Sequence, residues 1–315
     1  MEGSKPAGDA AYGVGRLGLG TVALDTERLD VAFEILDAWH AAGGRLVDTA
    51  AVYGAGESER AVGAWIRSRG ARDEVELLTK GAHPDMTDWS SRMTAEAIHA
   101  DLTASLERLD VSKVDVYLVH RDDPRVPVDI IVEALAAEVV AGRARSIGVS
   151  NWTLERLDVA LAYVEARGLP PLAWSSSYFG LAAPSGPIWP GGIDACDEDS
   201  RAWYAGHKTR LLAWSPGGNG FFVPGADLTV RRFEPYRSAA NLARRERATE
   251  LAAREGVTPN QIALAWVLGE PSAPIALVGT TSPAHLAEAI GAAQVRLTDV
   301  ERRRLEDDGT AGPPG

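Results

Sequence analysis

Apolar runs recur along this chain, and between them apolar residues fall at helical spacing. The runs LGLGTVAL (17–24), RLVDTA (45–50), VELLTK (75–80), VDVYLVH (114–120), ARSIGVS (144–150), LAWSSS (172–177), RLLAWSP (210–216) and PIALVG (274–279) are nearly continuous. Continuous runs predict strands buried on both faces, where alternating ones would leave a face in water. The segments between them carry helix signals. TERLDVAFEILDAWHAAGG (26–44) opens on a candidate Thr26 cap and ends in Gly43–Gly44. SERAVGAWIRSRG (58–70) has Ser58 before its apolar stripe and Gly70 after it, and TAEAIHADLTASLERLD (94–110) opens on Thr94. Helical patterns follow the later runs as well, two of them after the seventh and two after the eighth.

Eight strands, each followed by helix and mostly roughly 30 residues apart, match a (β/α)8 barrel in count and size. A doubly wound sheet is the competitor, and it needs a glycine-rich phosphate loop between a strand and a helix. GVGRLGLG (13–20) enters the first strand instead of leaving it, so it does not qualify. No linker divides the chain, which predicts a single domain over 1–315. The longest irregular stretches, 180–200 and 217–238, both follow strands. They belong on the face where barrel enzymes keep their loops.

Charge and composition narrow the function. The formal net charge of −12 argues against a nucleic-acid partner and against docking on an anionic membrane. One cysteine, Cys196, excludes a disulfide framework and a cysteine metal cluster. No apolar stretch approaches a membrane span, and MEGSKPAGDAAYGVG carries no apolar signal core. A cytoplasmic location is the expectation.

The strand ends carry the chemistry. The second strand ends near Asp48, with Tyr53 five residues on in its loop; the third ends at Lys80 and the fourth at His120. Carboxyl ends of adjacent parallel strands lie about 5 Å apart, so Asp48, Lys80 and His120 should converge, with Tyr53 leaning in. Singly, each has a bland reading: Lys80 a solvated gatekeeper, His120 structural, Asp48 a loop cap, Tyr53 core. Lysine is rare here, with four (Lys5, Lys80, Lys113 and Lys208) among 32 basic residues, and a compact ammonium beside a carboxylate is different chemistry from a guanidinium. Together the four suit one task. Tyr53 would protonate a carbonyl oxygen becoming an alkoxide, Lys80 would lower the phenol pKa, Asp48 would hold Lys80 charged, and His120 would orient the carbonyl. No side chain supplies hydride, so a cofactor must. A metal site is the alternative for Asp plus His, and a central Lys would repel the cation.

At these residues the chain resembles the aldo-keto reductase family over essentially its whole length. The tetrad motifs read VDTAAVYG, LLTK and YLVH. The resemblance implies a (β/α)8 barrel and an NAD(P)H-dependent reductase that binds its cofactor extended, without a Rossmann domain. It implies carboxamide contacts from Ser150 and Asn151 in GVSNW, a nicotinamide stacked on Trp214 in LLAWSPGG, and a pyrophosphate along Ser215, Pro216, Gly217, Gly218 and Gly220. Gly279, Thr280, Thr281, Ser282 and His285 of LVGTTSPAH would hold the adenosine phosphate, while Gly20, Thr21 and Val22 edge the cofactor cleft beside Asp48. NADPH is the expected cofactor, with NADH possible.

Departures from the family pattern accompany these matches. Many relatives carry Gln on the sixth strand, where this chain offers Ser175, or Tyr178 in another register. Thr281, His285 and Ala289 stand where many relatives carry a cation or Asn for the 2′-phosphate and adenine, and Val22 stands where a Trp is frequent. Trp89, Trp189 and Phe221, with Tyr53 and His120, are candidates for the substrate wall; simple packing under a long loop is the alternative for each aromatic. The substrate expected is a small-molecule aldehyde or ketone, or the corresponding alcohol, with a lean toward a sugar-like or polyol carbonyl, and a polyketide or terpenoid carbonyl remains open. Two other classes stay in play: a cofactor-binding regulatory subunit of the same fold, as in the potassium-channel β subunits of this family, and a cofactor-free barrel lyase or isomerase. Oligomeric state is not legible.

Overall fold

The structure is a computed structural model that describes residues 13–307. The strands are β1 (Leu17–Gly20), β2 (Leu46–Asp48), β3 (Glu76–Gly81), β4 (Val114–Val119), β5 (Ala144–Ser150), β6 (Leu172–Tyr178), β7 (Arg210–Trp214) and β8 (Ile275–Val278). All neighbours pair in parallel, and β8 returns to β1, so the sheet closes in sequence order. Eight parallel strands, helical crossovers between them and continuous apolar runs are what a (β/α)8 barrel requires. The single domain expected over 1–315 extends past the described residues at both ends, and 1–12 and 308–315 lie outside them.

Helices α1 (Leu29–Ala41), α2 (Glu57–Arg69), α3 (Ala95–Leu109), α4 (Val128–Val140) and α5 (Leu154–Arg167) follow the first five strands in turn. After β6 comes α6 (Glu198–Gly206), after β7 come α7 (Ala239–Glu255) and α8 (Pro259–Leu268), and after β8 come α9 (Pro283–Gly291) and α10 (Asp299–Glu306). Thr94 caps α3 by accepting from the Ala97 amide, and Gly70 closes α2 in the left-handed region at φ 64°. Two expected caps fall elsewhere. α2 begins at Glu57, with Gly56 at φ 94° before it, and buried Ser58 spends its hydroxyl on the Thr21 carbonyl at 2.8 Å. α1 begins at Leu29, and Thr26 donates to the Glu57 carboxylate instead of capping. A tertiary acceptor outcompeted the local amide in both cases.

The alternation of a strand sorts its side chains between two cores. One core lies between strands and helices and includes Leu19, Val47, Leu77, Val119 and Ile147. The other fills the barrel with Leu46, Leu78, Val116, Leu118, Leu212, Ile275 and Leu277, and Trp174 and Trp214 pack against it. β1 contributes only Gly18 at this level. A Cβ there would meet Leu277 at 2.7 Å and Leu46 at 2.9 Å, so the leucines from β8 and β2 close over the glycine. Among the described residues no helix is long and apolar enough to cross a membrane.

Candidate active site

The same alternation fixes what lies above the inner core. Two residues beyond Leu46, Leu78 and Leu118 stand Asp48, Lys80 and His120, all on the inward parity at the carboxyl ends of their strands. Trp214 follows Leu212 by the same step, as Ser150 follows Gly148 and Ser176 follows Trp174. The register pairs Asp48 with Leu78 and Lys80 with Leu118. Each ionisable group therefore stands one inward position beyond its neighbour's partner, and the long Lys80 stem reaches back across the step.

Lys80 is buried, and its ammonium is fully used. Nζ donates to Asp48 Oδ1 at 2.5 Å, to the Thr49 carbonyl at 3.1 Å and to the Tyr53 hydroxyl oxygen at 3.2 Å. Three donors meet three acceptors. Because Lys80 donates to the Tyr53 oxygen, the Tyr53 hydrogen is free to point away from Lys80. Burial alone would lower the Lys80 pKa, but Asp48 and Tyr53 more than offset it and hold the ammonium above its usual range. Burial pushes the Asp48 carboxyl above its usual range, and Lys80 offsets only part of that rise.

Tyr53 departs from the expected sign. Its loop leaves it partly exposed as a residue, yet enclosure raises its pKa; Lys80 and Arg121 pull the other way without prevailing. Lys80 thus acts in the sense read from the sequence, and desolvation outweighs it. The phenol is consequently protonated at neutral pH. His120 is shifted well below the usual imidazole range, by burial first and then by Lys80, Arg121 and His83, so it is neutral. Its ring meets Tyr53 edge-on at 5.6 Å, and its Nδ1 is buried without a hydrogen-bond partner among the described residues.

The remaining expected cofactor residues form a rim running from β5 to β8 and β1. Ser150 Oγ donates to the Ser176 carbonyl at 3.0 Å, and Asn151, at φ 61°, donates to Ser150 Oγ and the His120 carbonyl while its Oδ1 accepts from the Ile193 amide. Trp214 is half-buried, edge-on to Tyr178 at 5.3 Å, with Nε1 buried and unpartnered among the described residues. The turn after it runs through Ser215, Gly218, Asn219 and Gly220, all at positive φ, with Pro216 buried and Gly217 half-buried. A Cβ on Gly279 would meet the Gly20 carbonyl at 2.9 Å, so the tops of β8 and β1 close without side chains. Thr21 is buried with its hydroxyl on the Asp48 carbonyl, while Val22 is exposed beside it. Thr280, Thr281 and Ser282 lead into α9, where Ser282 accepts from the His285 amide, and His285 is exposed.

Two expected contacts are not brought into the site. Ser175 lies on the outward parity, with its hydroxyl 2.8 Å from that of Tyr204 on α6; Ser176 occupies the inward position. Phe221 is fully buried among Phe222, Phe233 and Tyr236, so it packs beneath its loop and offers no surface to a substrate. Trp89 and Trp189 do stand open at the rim, 45% and 53% exposed.

Two further residues join the site that sequence reasoning did not single out. His83 is buried between His120, at 5.1 Å, and Trp89, at 5.6 Å, continuing a line of rings from Tyr53. Arg121 follows His120 directly and donates to its carbonyl at 3.3 Å. Both lie in loops, where no periodicity marks them; adjacency to Lys80 and His120 was the available signal. A cavity of 550 Å³ opens at the opposite, amino-terminal end of the barrel. Its charges are largely neutralised in pairs such as Arg67–Asp110 and Arg72–Asp115, and that end of a barrel serves stability.

Comparison with known proteins agrees with this fold. A family model described as Aldo/keto reductase family matches residues 16–307. Aldo-keto reductase str7 of Strobilurus tenacellus is 30% identical over 312 residues, covering 93% of this chain and 85% of the relative. Aldo-keto reductase yakc [NADP(+)] of Schizosaccharomyces pombe is 27% identical over 289 residues, covering 85% of this chain and 81% of the relative. Among solved structures, an aldo/keto reductase from Klebsiella pneumoniae in complex with NADP and acetate superposes with a TM-score of 0.70 at 25% identity, covering 92% of this chain and 90% of that one. With a match that spans nearly every described residue and a barrel of the same architecture, the chain belongs to the Aldo/keto reductase family.

Proposed function

We propose that this oxidoreductase uses NADPH to reduce an aldehyde or ketone to its alcohol, with Tyr53 as the general acid. The observation that carries the reading is the Lys80 ammonium shared between Asp48 and the Tyr53 oxygen. A bound reduced nicotinamide supplies hydride to the carbonyl carbon. The carbonyl oxygen takes the Tyr53 proton, and the phenolate left behind is stabilised by the adjacent ammonium, whose charge Asp48 maintains. Neutral His120 hydrogen-bonds and orients the carbonyl oxygen. A phenol held protonated by burial suits the reductive direction, because the acid is loaded before substrate arrives.

The residues present fit such a cofactor. Trp214 combines a half-buried indole with an unpartnered Nε1, and the Thr280–Ser282 hydroxyls lie at the amino end of α9, where the helix dipole favours an anion. NADP appears in the names of two of the similar proteins. Ser150, Asn151 and Ser176 would hold the carboxamide end, and residues 215–220 the pyrophosphate. The open indole faces of Trp89 and Trp189 support a sugar-like or polyol carbonyl as the class to try first. The test is a panel of aldehydes, ketosugars and inositol-type ketones with NADPH. Consumption of NADPH matched by equimolar alcohol is expected; binding of NADPH with no turnover on any member would favour a regulatory role.

Two results should follow from the cofactor rim. NADPH should quench tryptophan fluorescence, and Trp214→Ala should remove most of that quench despite the eight other tryptophans among the nine. An unchanged quench would move the nicotinamide elsewhere. His285→Ala should reduce the preference for NADPH over NADH while leaving NADH affinity alone, because no Arg clamp serves the 2′-phosphate in the GTTSPAH segment. Equal titration curves for variant and wild type would assign His285 to a solvated helix surface.

A further inference from the structure

Arg121 lies beside this site and has no charge partner among the described residues. Its Nε is buried and makes no hydrogen bond among the described residues, and its one polar contact is the long bond from Nη1 to the His120 carbonyl. Among the described residues no carboxylate reaches it. The two acids that follow it in sequence are engaged elsewhere: Asp122 with Arg156 at 3.0 Å and Asp123 with Arg125 at 2.9 Å. The nearby Arg92 is likewise paired, with Asp101 at 2.5 Å. The groups that do act on Arg121 or feel it are Tyr53, His83 and His120, the line of rings that ends at the reacting position.

A desolvated guanidinium with unsatisfied donors is costly, and it cannot escape by losing its proton. Here its stem is also packed: a Cβ on Gly191 would come within 3.5 Å of Arg121 Cδ, so the β6–α6 loop passes close over it. The charges at this end of the barrel do not cancel. Lys80 and Arg121 are cationic, Asp48 is anionic, and both histidines are pushed toward neutrality. One positive charge is left over, in a chain whose net charge is −12.

We propose that Arg121 binds a carboxylate carried by the substrate, so that the preferred substrate is an oxo acid: an aldehyde or ketone with a carboxylate a short distance from the carbonyl. Carboxylate matches the planar guanidinium fork. With the Lys80 ammonium already used by Asp48, Thr49 and Tyr53, a lone guanidinium suits a monoanion better than a phosphate dianion. This inference rests on the carbonyl-reduction reading and names the substrate class within it; a uronic acid, an aldehyde bearing a carboxylate, would satisfy both this site and the aromatic rim.

The test compares straight-chain aldehydes ending in a carboxylate with their methyl esters and with the corresponding phosphonates, using NADPH and the intact chain. Wild type should favour acid over ester in kcat/KM by at least about tenfold, the scale of a charge-assisted hydrogen bond. In Arg121→Met that ratio should fall to about one, and Arg121→Lys should restore part of it. A saturated carboxylate titrated calorimetrically into cofactor-loaded protein should lose about tenfold or more in affinity in Arg121→Met. Equal use of acid and ester by wild type, a preference that survives in Arg121→Met, or a preference for phosphonate over carboxylate would each overturn the assignment. If esters, acids and phosphonates all go unreduced, the carbonyl-reduction reading fails instead, and the calorimetric comparison alone decides whether Arg121 binds the anion.

Discussion

Tyr53→Phe is expected to lower reductive turnover by about a hundredfold or more, the usual contribution of a positioned general acid. NADPH affinity should hold, because in the proposed arrangement the phenol faces the substrate and the Trp214 rim the cofactor. The substitution removes one oxygen and little volume, so the protein should remain folded. What disappears is the hydroxyl held against the Lys80 ammonium. Steady-state assays on variant and wild type, with cofactor titrations alongside, check both halves. Turnover near the wild-type value would remove Tyr53 from the proton transfer.

Lys80→Met should fail in two ways. The buried Lys80–Asp48 pair, at 2.5 Å with side chains 3% and 5% exposed, is excluded from water. Removing one partner strands the other, and such losses typically cost about 3–5 kcal/mol. Urea unfolding should show a lower midpoint at an unchanged slope, and Asp48→Asn/Lys80→Met should recover part of the loss by removing the stranded carboxylate. Turnover should fall as well, since the phenolate formed at Tyr53 loses its counter-charge. The pH dependence has a defined sign. Lys80 titrates above its ordinary value of 10.5, so its contribution is complete at neutral pH and is lost only as pH rises through that raised value. A Lys80→Met protein as stable as wild type would contradict the ion pair.

The barrel was legible because burial on both faces writes strands as continuous apolar runs; all eight were located within a few residues. Strand ends were less certain. The run at 17–24 yields a strand only to Gly20, since Thr21 turns back to bond the Asp48 carbonyl. Caps were readable at Thr94 and Gly70, where the local chain decides, and unreadable at Thr26 and Ser58, where distant acceptors decide.

The site divides along the same line. Asp48, Lys80 and His120 were visible because each ends a run and shares the inward parity of an aliphatic residue two positions before it. Parity also explains the miss at Ser175. Counting from Trp174, which lies inside, would have selected Ser176. Phe221 was misread because an aromatic in an irregular stretch gives no sign of whether it lines a wall or packs beneath one. His83 and Arg121 sit in short loops whose paths depend on tertiary contacts, and the missing partner of Arg121 emerges only when Asp122 and Asp123 are seen to be taken.

A co-crystal structure with NADP and an unreactive carbonyl compound tests the central claim most directly. The nicotinamide ring is expected against Trp214 and the carbonyl oxygen about 3 Å from both the Tyr53 hydroxyl and His120. A nicotinamide bound away from Trp214, or a carbonyl oxygen turned away from Tyr53, would contradict it.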